Sequence, residues 1–204
     1  NVITTRELAR MIKQANIEFE KLEDSQFDDP MGEATGAGAI FGTTGGVMEA
    51  ALRTAQDILS GKDLEKINFE QVRGGEGIKR ATVNVAGKDL NVVAASGLAN
   101  ARKILDEIKE GKANYQFVEI MACPGGCIMG GGQPIKSSKI RAEVDIRKLR
   151  ADALYTIDEK SVIRKSHENP ALKTIYKEYL GKPGGHLAHK LLHTTYQERK
   201  KYNI

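Results

Sequence analysis

Apolar residues near the start of the chain recur at helical spacing: Leu8, Met11, Ile12 and Ala15 form one stripe, preceded by Thr4 and Glu7 at capping-box separation. A first helix is expected directly after Thr4. The stretch from Leu22 to Pro30 carries Glu23, Asp24, Asp28 and Asp29 and reads as a surface loop. A small-residue segment then runs from Gly36 through Gly38, Ile40, Phe41, Gly42, Thr43 and Thr44 to Gly45 and Gly46, and leads into Val47, Met48, Ala51, Leu52, Ala55, Ile58 and Leu59. Those apolar positions fit a second helix with Gly61 at its C-cap, so a glycine loop is expected to feed a helix N-terminus.

The period then changes. Ala81 to Val85 and Leu90 to Ala94 alternate or run β-branched, with Ala86, Gly87, Lys88 and Asp89 between them as a hairpin turn. Leu98, Ala101, Ile104, Leu105 and Ile108 return to helical spacing and stop near Gly111, and Phe117 to Met121 is a short apolar strand. From about Asp145 the chain is helical and highly charged, with Gly181 to Gly185 separating the last two helices. Together these elements predict an α/β fold: a mixed, largely parallel sheet flanked by helices, followed by a C-terminal helical tail that docks on the rest.

Composition narrows the function classes. Across 204 residues, 40% are hydrophobic and 28% charged, the balance of a folded globular chain. The net charge of +4 is a small excess with both signs interspersed, and no basic block with interleaved aromatics is present, which argues against nucleic acid as a partner. No stretch approaches the roughly 20 apolar residues that span a bilayer, and Asn1 to Arg10 has no signal-peptide pattern. A soluble, cytoplasmic chain without a membrane partner is the expectation.

The chemistry concentrates in one loop. The chain's two cysteines, Cys123 and Cys127, follow the short strand directly, among Gly125, Gly126, Gly130, Gly131 and Gly132. Their short separation disfavours a structural disulfide and favours thiolates that hold a soft metal or an iron–sulfur centre. A strand that hands over to this loop places both thiolates at the carboxyl edge of a sheet, where α/β folds present ligands. Two thiolates are half of the usual four-donor set. His186, His189 and His193 are a weaker source of further ligands, and His167 with Glu168 and Asn169 reads as a helix start. The Gly36–Gly46 segment has the look of a phosphate cradle without the lysine or spacing of a nucleotide motif, and close packing against a bulky cofactor explains the same glycines.

The string Met-Ala-Cys-Pro-Gly-Gly-Cys-x-x-Gly-Gly-Gly-Gln-Pro at 121 to 134 resembles the third cysteine signature of the iron-only (FeFe) hydrogenases. The segment from Gly38 to Arg53 resembles that family's glycine–phenylalanine segment, and further matches run from Thr4-Thr5-Arg6-Glu7-Leu8 through Gln71-Val72-Arg73-Gly74 to the tail from Ser166 to His193. The resemblance implies the H-cluster as cofactor, a 4Fe-4S cubane bridged to a two-iron subsite with carbonyl and cyanide ligands. It implies that Cys123 ligates the cubane, that Cys127 bridges it to the two irons, and that Phe41, Gly42 and Met121 line the pocket around them.

The family's two earlier signatures, of the Thr-Ser-Cys-Cys-Pro and Met-Pro-Cys types, are absent. The resemblance therefore implies the C-terminal half of the catalytic domain, with residues 1–140 as its lobe and 141–204 as a helical tail resembling the small-subunit region. It implies an N-terminal half and a ferredoxin-type electron carrier as partners, reversible proton reduction by the parent protein, and no activity and self-association for this chain alone. No catalytic residue is assigned within the chain. A non-enzymatic iron–sulfur sensor or cluster-assembly relative is the alternative, and a zinc or redox-dithiol module is a third reading.

Overall fold

The computed structural model describes residues 2–26, 33–62, 68–74 and 77–198, so Asp28 and Asp29 of the expected acidic loop lie outside the described residues. Helix α1 (Thr5–Gln14) starts as its spacing predicts: the Thr4 hydroxyl accepts from the Glu7 amide at 3.2 Å, and the Glu7 carboxylate accepts from the Thr4 amide at 2.7 Å. None of its residues is buried, and the stripe of Leu8 and Met11 faces outward. The glycine segment forms a short helix α2 (Gly36–Ala39), a 3-10 turn (Ile40–Gly42) and then α3 (Gly46–Ser60), which ends on Gly61 as expected.

Strands β1 (Ile78–Val85) and β2 (Lys88–Ser96) pair antiparallel as a hairpin, followed by α4 (Leu98–Lys109) and β3 (Phe117–Met121). The turn is tighter than the sequence suggests. Ala86 and Gly87 form it alone, both at positive φ (49° and 81°), so Lys88 and Asp89 already pair with Val85 and Asn84. The strand order is β1-β2-β3, with β3 parallel to β2, and the mixed sheet thus has one antiparallel and one parallel ladder among the described residues.

Alternation along β2 builds two cores. Val92 and Ala94 join Val83 and Val85 against Met48 and Leu52 of α3, with Phe69 and Val72 closing that side. Val93 and Ala95 point to the opposite face, onto Ile104 of α4. Ala101 is buried too, whereas Leu98, Leu105 and Ile108 of the expected α4 stripe are exposed.

The tail contains α5 (Ser138–Glu143), α6 (Ile146–Lys160), α7 (Pro170–Ile175), a π turn (Tyr176–Leu180) and α8 (His186–Leu192). Helix α7 starts at Pro170, three residues after the start expected at His167. Asn169 accepts from the amides of Ala171 and Leu172, with Pro170 at the first helical position, and His167 falls in the preceding 3-10 turn.

A buried joint of charges ties the tail to α3. Arg53 donates to both Asp158 oxygens, at 2.7 and 2.8 Å, and to Glu49 at 2.9 Å, and all three side chains are fully buried. Arg73 grips Glu49 through two bonds of 2.8 Å, and Arg164 reaches Asp158 at 2.6 Å. No helix among the described residues is long and apolar enough to cross a membrane.

Candidate metal centre

The two-cysteine loop leaves the sheet where β2 and β3 end together. Met121 is paired with Ser96, and its carbonyl accepts from the Gly97 amide at 2.7 Å. The loop then folds on itself: Gly126 donates to the Cys123 carbonyl at 3.0 Å, and Gly130 to the Cys127 carbonyl at 2.9 Å. Both thiols are free, Cys123 half-buried and Cys127 exposed at the start of a 3-10 turn (Cys127–Met129).

Glycine is required at position 126 for two reasons. Its φ is +95°, and a Cβ there would lie 2.6 Å from the Gly42 carbonyl oxygen and 2.8 Å from the Thr44 nitrogen. That close approach seats the Phe41–Thr44 turn against the residue preceding Cys127. The structure thus brings Gly42 and the cysteine loop together, while Phe41 is 43% exposed beside them and Met121 is half-buried at the end of β3. Met129, two residues beyond Cys127, is 39% exposed.

The positive end of α3 is filled from within. Glu119, on the apolar strand β3, accepts from the amides of Gly45 at 2.5 Å and Met48 at 2.7 Å, and is 7% exposed. The phosphate-cradle look of this glycine segment therefore has an internal explanation, since the chain's own carboxylate occupies the helix N-terminus. Burial pushes the Glu119 carboxyl above the usual carboxylate range, and the two amides pull it part of the way back.

Helix α6 covers the loop from behind. Arg150 donates to the carbonyls of Ile128 at 2.7 Å and Pro134 at 2.9 Å, and the Arg147 stem lies over Gly125. Leu154 packs on Gly42, and Tyr155 shares a 3.2 Å hydrogen bond with Thr43 while Arg73 stacks on its ring at 4.2 Å. Burial pushes the Tyr155 phenol up. Between loop and helix lies a cavity of about 660 Å³ lined in part by Thr44, Gly125, Ile128 and Tyr155.

The histidines do not join the cysteines. Among the described residues, three candidate ligand side chains converge only at Asp57, His167 and Glu168, where the Lys165 ammonium already sits 2.6 Å from Asp57. The rings of His189 and His193 meet each other at a tilt of 57°, centroids 4.3 Å apart. The donors at the loop are therefore two free thiols on a glycine cradle, a set that fits half of a four-thiolate cluster site.

Sequence reasoning missed Glu119, Arg150 and the Arg53–Asp158 pair. A lone acid inside the apolar run from Phe117 to Met121 was a usable signal for the first. Nothing local marks the other two, whose partners lie far away in the chain.

A family model described as the C-terminal domain of the iron-only hydrogenase large subunit matches residues 1–131, and one described as the iron hydrogenase small subunit matches residues 144–199. The chain is 52% identical over 197 residues to Iron hydrogenase 1 of Clostridium pasteurianum, covering 97% of this chain and 34% of that protein. It is 33% identical over 201 residues to Protein NAR1 of Arabidopsis thaliana, covering 96% of this chain and 42% of that one. Among solved structures it superimposes on a variant of HydA1, a FeFe hydrogenase from Chlamydomonas reinhardtii, with a TM-score of 0.72 and 41% identity, covering 96% of this chain and 55% of that chain. The chain spans about a third of the length of the curated hydrogenase it matches.

Proposed function

We propose that this chain, which belongs to the iron-only hydrogenase family, supplies two of the four cysteine ligands of an H-cluster in a protein that reversibly reduces protons to molecular hydrogen. The observation that carries the reading is the pair of free thiols on a glycine loop at the carboxyl end of β3, with Gly126 seated against Gly42. Cys123 and Cys127 would hold the cluster through their thiolates, Cys123 at the 4Fe-4S cubane and Cys127 on the side of the two-iron subsite. When bound, the cluster supplies a redox-active iron with an open position for protons and hydrogen. The chain's own residues would orient and shelter it: with the other half of the domain docked, Phe41, Gly42 and Met121 would form an apolar wall that excludes water, and the bonds from the Gly126 and Gly130 amides to the Cys123 and Cys127 carbonyls fix the loop that carries the thiols.

The remaining two ligands come from an N-terminal half of the catalytic domain, and exposed apolar residues such as Leu8, Met11, Phe41 and Met129 are surface of the kind such a lobe covers. Residues 1–140 form the lobe and 141–204 a small-subunit-like tail. Electrons reach the site in the cytoplasm from a ferredoxin-type carrier.

Co-expression with the N-terminal region of the parent protein, under anaerobic conditions with maturation factors, tests the proposal. Hydrogen evolution and infrared bands of iron-bound carbonyl and cyanide are expected, and Cys127→Ser is expected to abolish the bands. A well-folded complex without them overturns the hydrogenase reading. Iron–sulfur assembly, suggested by 26% identity over 204 residues to cytosolic iron-sulfur assembly component 3 of Bos taurus, predicts a cubane signal with no such bands.

A further inference from the structure

Among the described residues, the segment from Cys127 to Pro134 has two long-range side-chain tethers that reach its backbone. Arg6 of α1 donates to the Gly131 carbonyl, and Arg150 of α6 donates to the carbonyls of Ile128 and Pro134. The other backbone bonds within the segment are local, such as Gly130 to Cys127 and Gln133 to Gly130. A run of three glycines at 130 to 132 has no side chains to hold it and loses much backbone entropy when ordered.

We propose that Arg150 is a positioning residue for the cluster-binding loop, an inference that rests on the function proposed above. Its two bonds, 2.7 and 2.9 Å, bracket the glycine run at both ends. A planar guanidinium can hold two carbonyls in fixed geometry, whereas an ammonium acts as one compact charge. The first of these carbonyls belongs to the residue directly after Cys127. Among the described residues the partners of Arg150 are carbonyl oxygens and the Met129 sulfur at 3.8 Å, rather than a carboxylate. No carboxylate pairs with it among the described residues, so its positive charge stays directed at the loop and would favour the more negative, reduced state of a cluster held there.

Arg150 is not what holds α6 in place. The helix is anchored independently by Asp158, bound to Arg53, and by Leu154 and Tyr155 against the Gly42–Thr43 turn. Replacing Arg150 should release the loop and leave the helix seated.

The test compares Arg150→Lys and Arg150→Gln in two settings. In the metal-free chain, amide hydrogen exchange at Met129, Gly130 and Gln133 should rise about tenfold or more in both variants, while exchange in β2 and far-ultraviolet circular dichroism stay unchanged. In the anaerobically matured complex, Arg150→Gln should retain iron about tenfold less well and shift the cubane to a lower reduction potential, while Arg150→Lys should weaken iron retention but keep the potential near that of the parent. Unchanged loop exchange in both variants overturns the positioning role, whatever the complex does. Equal potentials for the Gln variant and the parent overturn the electrostatic role. An unsubstituted complex without carbonyl and cyanide bands would count against the hydrogenase reading alone, since the exchange measurement does not depend on it.

Discussion

Replacing Asp158 by Asn would break the joint between α3 and the tail at its most buried point. Asp158 and Arg53 are fully buried and share bonds of 2.7 and 2.8 Å, and Arg164 lies 2.6 Å from the same carboxylate. Among the described residues, the cluster holds three arginines (Arg53, Arg73, Arg164) against two carboxylates (Glu49, Asp158), an excess of one positive charge that becomes two when Asp158 is neutralised. An Asn at this position can accept from Arg53 through one oxygen, but its amide nitrogen would then face guanidinium donors. Removing one partner of a buried pair typically costs about 3–5 kcal/mol, because the remaining charge stays desolvated. Urea unfolding followed by circular dichroism measures this directly. With a slope of about 2–3 kcal/mol per molar urea for a chain of this size, the midpoint should fall by about 1–2.5 M. A loss below about 1 kcal/mol at unchanged slope would refute the claim that Arg53 depends on Asp158. The double change Arg53→Met with Asp158→Leu supplies the control, and it should be more stable than Asp158→Asn alone because Glu49 keeps Arg73 and the cation that loses Asp158 is the partly exposed Arg164 rather than the fully buried Arg53.

The same carboxylate predicts an acid limb. Burial raises the Asp158 carboxyl, but Arg53 and Arg164 pull it below the usual carboxylate range, so its contribution is present above the unfolded value and is lost as pH falls through the folded one. Stability of the parent chain should drop below about pH 4, and that part of the drop should vanish in Asp158→Asn. Glu119 has the opposite sign. Its folded carboxyl is raised, so its contribution is present at low pH and is lost as pH rises through the raised value. Glu119→Gln places an amide donor against the Gly45 and Met48 amides and should cost about 1–3 kcal/mol at neutral pH, a gap that widens toward about pH 4 in denaturation curves. Gly126→Ala forces a Cβ to within 2.6 Å of the Gly42 oxygen at a φ of +95°, and should lower the melting temperature and prevent iron uptake by the matured complex.

The parts of the fold that were readable in the sequence are those set by neighbours a few residues apart. The capping box at Thr4 and Glu7, the α3 stripe ending at Gly61 and the hairpin around Gly87 are all local, and each appears in the structure within a residue or two of its expected place. The cysteine loop was legible as chemistry for the same reason, because Cys123, Cys127 and their glycines are contiguous. What stayed hidden depends on separation. Arg53 meets Asp158 across 105 positions, and neither looks unusual in its own segment; Gly45 meets Glu119 across 74, and the apolar run around Glu119 marks that acid as unusual without naming its partner. Asp158 stands in a helix crowded with Lys and Asp, so its composition suggests a solvated face although the residue is fully buried. The α4 stripe shows the converse: Leu98 and Leu105 satisfy the helical period but remain exposed, while Ala101 and Ile104 of the same stripe are buried.

The charged joint and the cysteine loop are linked through one helix. Asp158 lies near the end of α6 and Arg150 two turns earlier, so the position of α6 along α3 determines where the Arg150 guanidinium meets the loop. An apolar joint would tolerate sliding by a turn, since one aliphatic contact can replace another. The Arg53–Asp158 fork does not tolerate it, because any shift leaves a buried charge without its partner. Gly36 tightens the fit further, as a Cβ there would lie 2.3 Å from an Asp158 oxygen. A joint of this kind adds little net stability over well-packed aliphatic residues, but it selects one register. The register it selects is the one in which Arg150 reaches Ile128 and Pro134 and Leu154 closes on Gly42, so the seating of the tail and the placement of the two thiols are one structural problem.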